Sequence, residues 1–428
     1  MIDIILGIIR KFVPKDLYRK AQPAYHYLMA LAGAVIYRFP SRKVTVIAVT
    51  GTKGKTTVSE LIHNCLRAAG HKVALSNTIH FIIDGKEERN LYKMSMPGRM
   101  FMQRFLRRAV NAGCTHVVIE ATSEGSKFFR HRFMALDALV FTNLSPEHIE
   151  SHGSFENYRA AKVDIAKQLA RGGKKRTVLI VNGEDEASPH FLAEEVTEKN
   201  RFFLSDAEPF RATPKGIEFT WHGTQAFSPL TGDFNLKNVI AALTACRAFG
   251  IDEAAALRGI KETQEVKGRV EPIDRGQPFE VVVDYAHTVE SLEALYGAFA
   301  GKRIVALLGN TGGGRDVWKR PAMAQTAAKH AAKVILANED PYEEDPMKIV
   351  TEMANAIPEA KPEIILDRRA AIAAAIRHAQ QAFSVDGKPT AVLITGKGTD
   401  PYLMEANGKK TPWSDSQVAA EELDKLYR

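Results

Sequence analysis

From Val44 onward the chain alternates short β-branched apolar runs with longer segments whose apolar residues recur every three or four positions. The runs at 44–49, 73–77, 116–120, 138–142 and 178–182 read as strands, and 56–69, 100–112, 154–170 and 235–249 as helices. That alternation predicts an α/β domain on a mainly parallel sheet. Residues 205–232 keep neither period and read as short strands and turns. A second series starts near Pro272, with strands expected at 279–284, 303–309, 333–337, 363–366 and 391–395. Its helices are expected at 288–299, 321–331, 346–356, 370–383 and 414–426, which predicts a smaller, Rossmann-like C-terminal domain. Ahead of both, the apolar stretches MIDIILGII and AYHYLMALAGAVIY flank KFVPKDLYRKAQP and read as a short helical segment. The expected division is therefore 1–43, 44–271 and 272–428.

Composition adds limits. A chain of 428 residues exceeds one ordinary core, and 45% hydrophobic with 25% charged residues suits a globular protein. No apolar run reaches the roughly 18 residues of a membrane span, and the first stretch lacks the cleavage site of a secretory signal. Cys65, Cys114 and Cys246 lie far apart, which argues against a disulfide framework or cysteine-rich zinc site and fits a reducing cytoplasm. Residues 1–43 carry eight Lys/Arg against two Asp/Glu, leaving only +2 of the net +8 for the other 385 residues. The basic balance belongs to the front end, so no nucleic-acid partner is expected. That segment reads either as helices packed on the next domain or as a cationic amphipathic stretch resting peripherally on anionic lipid headgroups. Packing is the commoner fate of such helices.

The densest chemistry lies in VTVIAVTGTKGKTT at 44–57, where a strand run meets a glycine turn and a helix start. Backbone N–H groups there can surround phosphate oxygens, Lys55 adds a point charge, and the Thr56 hydroxyl suits Mg²⁺. The general P-loop pattern would want glycine where Val49 stands. Glu120 ends the strand run of HVVIEATSEG, a position for a metal-binding carboxylate, an ordinary solvated glutamate being the alternative. In FTNLSPEHIESHGSFENYRAAK, His148 offers an imidazole to a second cation, and Lys162 follows on a helix that Ser154 could cap. Asn235 and Asn238 of GDFNLKN share one helical face and could hydrogen-bond a nucleotide, or Asn235 could simply cap the helix. Arg269 of KGRVE could neutralise a transferring phosphoryl group, and Asp284 of VVVDYAHT suits a nucleotide hydroxyl or a positioning role.

The shape Thr-Gly-Thr-x-Gly-Lys-Thr-Thr resembles the P-loop variant of the Mur ligase family, ATP-dependent enzymes that join an amino acid to a carboxylate, and the other stretches fit that family in the same order. The resemblance implies that Gly51, Thr52, Lys53, Gly54, Lys55, Thr56 and Thr57 cradle ATP phosphates. It implies further that Asn235, Asn238, Arg269 and Asp284 bind the nucleotide, and that Thr56, Glu120, His148 and a carbamoylated Lys162 hold Mg²⁺. Lys55, Lys162, His148 and Arg269 would then be catalytic, in a reaction where ATP converts a carboxylate to an acyl phosphate and an amine displaces phosphate.

Within the family, DYAHT, GNTGGGRDVWKRP, NEDPYEEDP, DRRAAI and GKGTD look most like the MurE branch, which adds a diamino acid to a muramoyl-peptide in peptidoglycan synthesis. That likeness assigns His287, Arg315, Asp340, Tyr342, Gly396 and Asp400 to the substrates, with Arg315, Asp340, Gly396 and Asp400 holding the amino acid. Ser95, Ser123 and Arg132 fall on the muramoyl-dipeptide side. Members of the branch open with a uridine-binding domain, where this sequence has residues 1–43. Tyr342 replaces the arginine of diaminopimelate-adding enzymes, so lysine or a similar diamine is expected, with Glu339, Asp340 and Asp400 facing its amine. The alternatives are a relative acting on a lipid-linked or non-muramoyl acceptor, and a P-loop nucleotide-binding regulator.

Overall fold

A computed structural model of the chain describes residues 15–98, 100–147, 149–213, 215–314 and 317–427. The apolar stretch at 1–9 and the expected site residues His148 and Arg315 lie outside the described residues. Contacts divide the chain into one unit of Met1–Ser145, Phe155–Phe203 and Ala241–Gly259, and another of Pro146–Ser154, Leu204–Ile240 and Ile260–Arg428.

The first unit is built on eight strands: β1 (Thr45–Thr50), β2 (Val73–Ser76), β3 (His80–Ile83), β4 (Lys86–Arg89), β5 (His116–Glu120), β6 (Ala138–Phe141), β7 (Val178–Asn182) and β8 (Glu198–Phe202). Their order is β4-β3-β2-β5-β1-β6-β7-β8, parallel except for the β2-β3-β4 meander. Strands β1, β5, β6 and β7 are almost wholly buried, which is why each reads as an unbroken apolar run. Periodicity did not reveal β3, which is interior, nor β4 and β8, which are edge strands. All four residues of β4 (KEER) are exposed, and β8 (EKNRF) buries only Phe202 fully. Asp84 and Gly85, with φ of 48° and 79°, make the tight turn into β4.

From β1 the chain runs through helix Lys55–Ala68 to β2, on the β5 side, and after β5 it crosses to β6 on the other side. Winding therefore reverses at β1, and a reversal of this kind opens a crevice at the carboxyl ends of the strands. The expected helical front segment is present from residue 15 as helix Lys15–Ile36, which packs on this unit. A Cβ on Gly33 would lie 3.0 Å from that of Met100, while the tilted rings of His26 and Phe128 are 4.7 Å apart. No helix among the described residues is long and apolar enough to cross a membrane.

In the second unit, β9 (Phe210–Thr213), β10 (Gly216–Trp221) and β11 (Thr224–Ser228) form an antiparallel sheet, which resolves the irregular stretch of sequence. The larger sheet contains β12 (Glu271–Pro272), β13 (Glu280–Asp284), β14 (Arg303–Leu308), β15 (Lys333–Leu336), β16 (Glu363–Ile364) and β17 (Thr390–Thr395). Its order is β12-β13-β17-β14-β15-β16, all parallel but β12. Apolar clusters cover both faces, one around Ile372, Ala375 and Leu423, the other around Leu295, Met323 and Met353. A hairpin, β18 (Tyr402–Met404) and β19 (Lys410–Pro412), follows the GKGTD loop.

Candidate active site

The loop 51–54 turns between β1 and helix Lys55–Ala68, and both of its glycines have positive φ, 149° at Gly51 and 81° at Gly54. A Cβ on Gly51 would come within 2.0 Å of Thr142 Oγ1, so no other residue fits. The loop is clamped by the residues just after β6. Thr142 Oγ1 donates to the Lys53 carbonyl (2.6 Å), and Asn143 accepts from the Lys53 N–H through its side chain (2.8 Å) and from the Thr52 N–H through its carbonyl (2.8 Å). Sequence reasoning gave Thr142 and Asn143 no role; their place in FTNLS, one strand over from the glycine turn, was the available signal.

Lys55 Nζ donates to the Thr52 carbonyl at 2.9 Å, so its charge stays over the loop. Thr56 and Thr57 are buried in the first helical turn, where backbone N–H groups have no intrahelical acceptor. Thr52 Oγ1 meets Tyr158 Oη at 3.0 Å. Lys162, buried on helix Phe155–Arg171, donates to the Gly51 carbonyl and lies 4.7 Å from the Tyr158 ring centroid.

Glu120, at the end of β5 and 2% exposed, joins two loops. It accepts from Thr56 Oγ1 at 3.0 Å on one side, and from Thr78 Oγ1 (3.0 Å) and Ser95 Oγ (2.9 Å) on the other. One carboxylate among three hydroxyls is a hard oxygen donor set of the kind Mg²⁺ takes when water and phosphate fill its remaining positions. These residues fit the ion. Lys162 also fits carbamoylation, because a carbamate nitrogen keeps one N–H for the Gly51 carbonyl while its oxygens remain available to a metal.

Of the residues expected on the acceptor side, Ser95 and Ser123 lie on segments that pack together, a Cβ on Gly125 falling 3.2 Å from that of Met96, while Arg132 turns elsewhere. Ser95 lies on Glu120, and Ser123 is buried at the start of the short helix Ser123–Lys127 that Thr122 caps. Arg132 is held by Asp164, with contacts of 2.8 and 3.1 Å. The arginine against the Ser95 loop is instead Arg130, whose Nη1 donates to the Met96 carbonyl at 2.7 Å and whose Nε, buried, has no hydrogen-bond partner. Burial pushes its guanidinium below the ordinary range. Two arginines separated by one residue are indistinguishable in sequence until the backbone sets their directions.

In the second unit Asn235 and Asn238 lie one turn apart as expected, linked Nδ2 to Oδ1 at 3.2 Å, with Asn235 also donating to the Thr231 carbonyl. Asp284 ends β13 and accepts the N–H groups of Val270 (2.7 Å) and Ala286 (2.6 Å). The Arg269 guanidinium stacks 4.5 Å from the Tyr285 ring centroid. A Cβ on Gly268 would meet Thr399 N at 2.6 Å, so the arginine loop presses directly on GKGTD. His287 Nδ1 contacts the Tyr285 carbonyl (2.6 Å), and its Nε2 meets Glu147 (2.8 Å).

The amino-acid residues bring a lysine that sequence reasoning left out. Lys397, fully buried, donates to Asp340 (2.7 Å), Asp400 (3.3 Å) and the Tyr402 carbonyl (2.7 Å). Its three ammonium protons are all used, so Asp340 and Asp400 share one buried cation from within the chain. Glu339 is the acid left over. One oxygen accepts from Thr311 (2.9 Å), while Oε2 is buried without a hydrogen-bond partner and would lie 2.3 Å from a Cβ on Gly396. Burial raises its carboxyl above the usual range. Tyr342, with φ of 50°, lies against Gly313 of the glycine loop. Lys397→Met, which strands two acids, is expected to lower unfolding stability by roughly 3–5 kcal/mol. Urea titration should show it, with part of the loss restored by Asp400→Asn.

A glycine turn leading into a helix at the switch point of a parallel sheet is an arrangement able to receive the phosphates of a nucleotide. The profile of the Mur ligase middle domain matches residues 49–246, and that of the Mur ligase glutamate ligase domain matches 268–398. The chain is 34% identical over 430 residues to a UDP-N-acetylmuramyl-tripeptide synthetase of Treponema denticola, covering 89% of this chain and 79% of that protein. It is 33% identical over 396 residues to a UDP-N-acetylmuramoyl-L-alanyl-D-glutamate–2,6-diaminopimelate ligase of Geobacillus kaustophilus, with the same coverage. A solved structure of a ligase of that second name superposes with a TM-score of 0.59 at 27% identity, over 90% of this chain and 79% of the other. A Mycobacterium tuberculosis folylpolyglutamate synthase, solved with ADP and AMPPCP, shares the fold with a TM-score of 0.74 at 17% identity, covering 94% and 95%. The chain belongs to the Mur ligase family, and so to the ATP-dependent, ADP-forming amide ligases; its named relatives are of MurE type.

Proposed function

We propose that the protein adds an amino acid, of the diamino class, to the carboxylate of a muramoyl-peptide in the cytoplasm, through an acyl phosphate. One observation carries this reading: Glu120 accepts from the phosphate loop through Thr56 and from the Ser95 loop at once, so phosphate and acceptor carboxylate would meet beside it. A carboxylate oxygen of the acceptor attacks the γ-phosphorus of ATP, the bond to the β-phosphate oxygen breaks, and ADP leaves. The neutral amine of the incoming amino acid then attacks the acyl carbon, and inorganic phosphate departs with its oxygen. Both steps gather negative charge, which Lys55 and the N–H groups of residues 54–57 would offset. Arg269, Asn235, Asn238 and Asp284 are assigned to the same nucleotide by the family pattern. Mg²⁺, held by Thr56, Glu120 and a carbamoylated Lys162, would screen phosphate charge.

In this proposal residues 44–271 serve the nucleotide and acceptor, and 272–428 the amino acid, with Asp284 the exception that serves the nucleotide. Tyr342 in place of arginine removes a partner for a distal carboxylate, and the unpartnered Glu339 oxygen suits a lone ammonium. Lysine or a similar diamine is therefore favoured over diaminopimelate.

The test is a matrix of UDP-muramoyl peptides and lipid-linked forms against amino acids, read by product mass and phosphate release. Release is expected only with acceptor and amino acid together. Equal release from ATP alone would mark a nucleotide switch instead, and diaminopimelate giving the highest kcat/KM would reject the specificity.

A further inference from the structure

After Lys20, helix Lys15–Ile36 carries no Asp, Glu, Lys or Arg, and none follows before Arg38. One side of it packs on the first unit, with Tyr27 edge-on to Phe129 (5.8 Å) and Phe133 (5.2 Å). Away from that contact Leu28, Val35 and Ile36 remain 58, 56 and 60% exposed, and Tyr27 itself keeps 43%. Four of the thirteen exposed large apolar side chains among the described residues thus fall within ten positions. Ala24, Leu28 and Val35, all exposed, recur at helical spacing and share a face. A face of this size left open needs an explanation.

Charge indicates what covers it. Lys15, Arg19 and Lys20, against one acid, Asp16, precede the uncharged stretch, and the exposed Arg38, Arg42 and Lys43 follow it. Beside Tyr27 lies a cavity of about 380 Å³, lined by Phe39, Arg42, Phe129, Arg132 and Arg171 among others. Phe39 and Phe129 hold left-handed backbone there, at φ of 48° and 55°, a conformation that costs free energy in a non-glycine residue. Exposed Leu91, Tyr92 and Met94 lead directly into Ser95, and the Tyr92 ring packs 5.2 Å from that of Phe101, next to the Met100 that supports Gly33.

We propose that this face lies on the surface of a bilayer bearing anionic lipids, with Leu28, Val35 and Ile36 among the acyl boundary and the arginine-lined cavity taking a headgroup phosphate. The helix would lie on the membrane without crossing it. The proposal stands apart from the assignment of amino acid and acceptor, since its readout is lipid binding without substrates.

The full chain should co-sediment with vesicles of phosphatidylcholine and phosphatidylglycerol, and much less with phosphatidylcholine alone or at high salt. The variant Leu28→Ser/Val35→Ser/Ile36→Ser, and separately Arg42→Glu/Arg171→Glu, should each bind about tenfold more weakly or worse while keeping the parent's thermal unfolding midpoint. Leu28→Trp should be quenched by brominated lipid. Binding that survives both variants, as it would if residues 1–14 alone held the lipid, overturns the proposal. So does equal binding to uncharged vesicles, an unquenched tryptophan, or a concentration-dependent dimer that the triple variant abolishes while vesicle binding stays absent.

Discussion

Lys55→Ala is expected to lower kcat by roughly 10²–10³-fold or more, with the fold intact. The ammonium sits over the phosphate loop through its bond to the Thr52 carbonyl, and it belongs to no apolar cluster whose loss would unfold the unit. Its charge matters most when the γ-phosphoryl group is in transit between two oxygens and its negative charge is spread outward. The loss should therefore fall on kcat more than on the KM for ATP, in a steady-state assay that follows ADP. An unchanged kcat with a raised KM would mean that Lys55 only binds ground-state phosphate. Near-isothermal melting of variant and parent would exclude misfolding as the cause.

Lys162→Ala should cost activity on a similar scale, roughly 10²-fold or more, and part should return with formate or acetate. The substitution leaves a space beside Gly51 and Tyr158 where a small carboxylate can take the place of the carbamate. Lys162→Arg fills that space with a permanent cation, so it should be inactive and beyond rescue. Carbamate formation has its own signature, a ¹³C resonance from labelled CO₂ that disappears in both variants. Full activity in Lys162→Ala would refute the assignment outright.

How far the sequence reached depends on which physical signal each feature carries. Strands β1, β5, β6 and β7 were legible because burial on both faces demands unbroken apolar runs. Strands β4 and β8 were not, because an edge strand satisfies its backbone on one side and tolerates KEER or EKNRF. The P-loop was legible from glycines whose positive φ the turn requires. Its clamp, Thr142 and Asn143, was hidden because the contact arises between neighbouring strands some ninety residues apart in the chain.

The acidic motifs show the boundary most clearly. Reading NEDPY and GKGTD as separate strings suggested three carboxylates facing an incoming amine. Parallel pairing of β14 with β15 and of β14 with β17 brings the loops after β15 and β17 together, and with them Lys397 onto Asp340 and Asp400. A buried acid must find a cation or protonate, and here two of the three share one lysine of the chain. The order of elements and the family were thus written in local patterns, since hydrophobic period and turn chemistry act over a few residues. Which carboxylate stays unspoken for, which of two arginines meets the Ser95 loop, and which helical face is left uncovered depend on distances through space, and folding alone settles those.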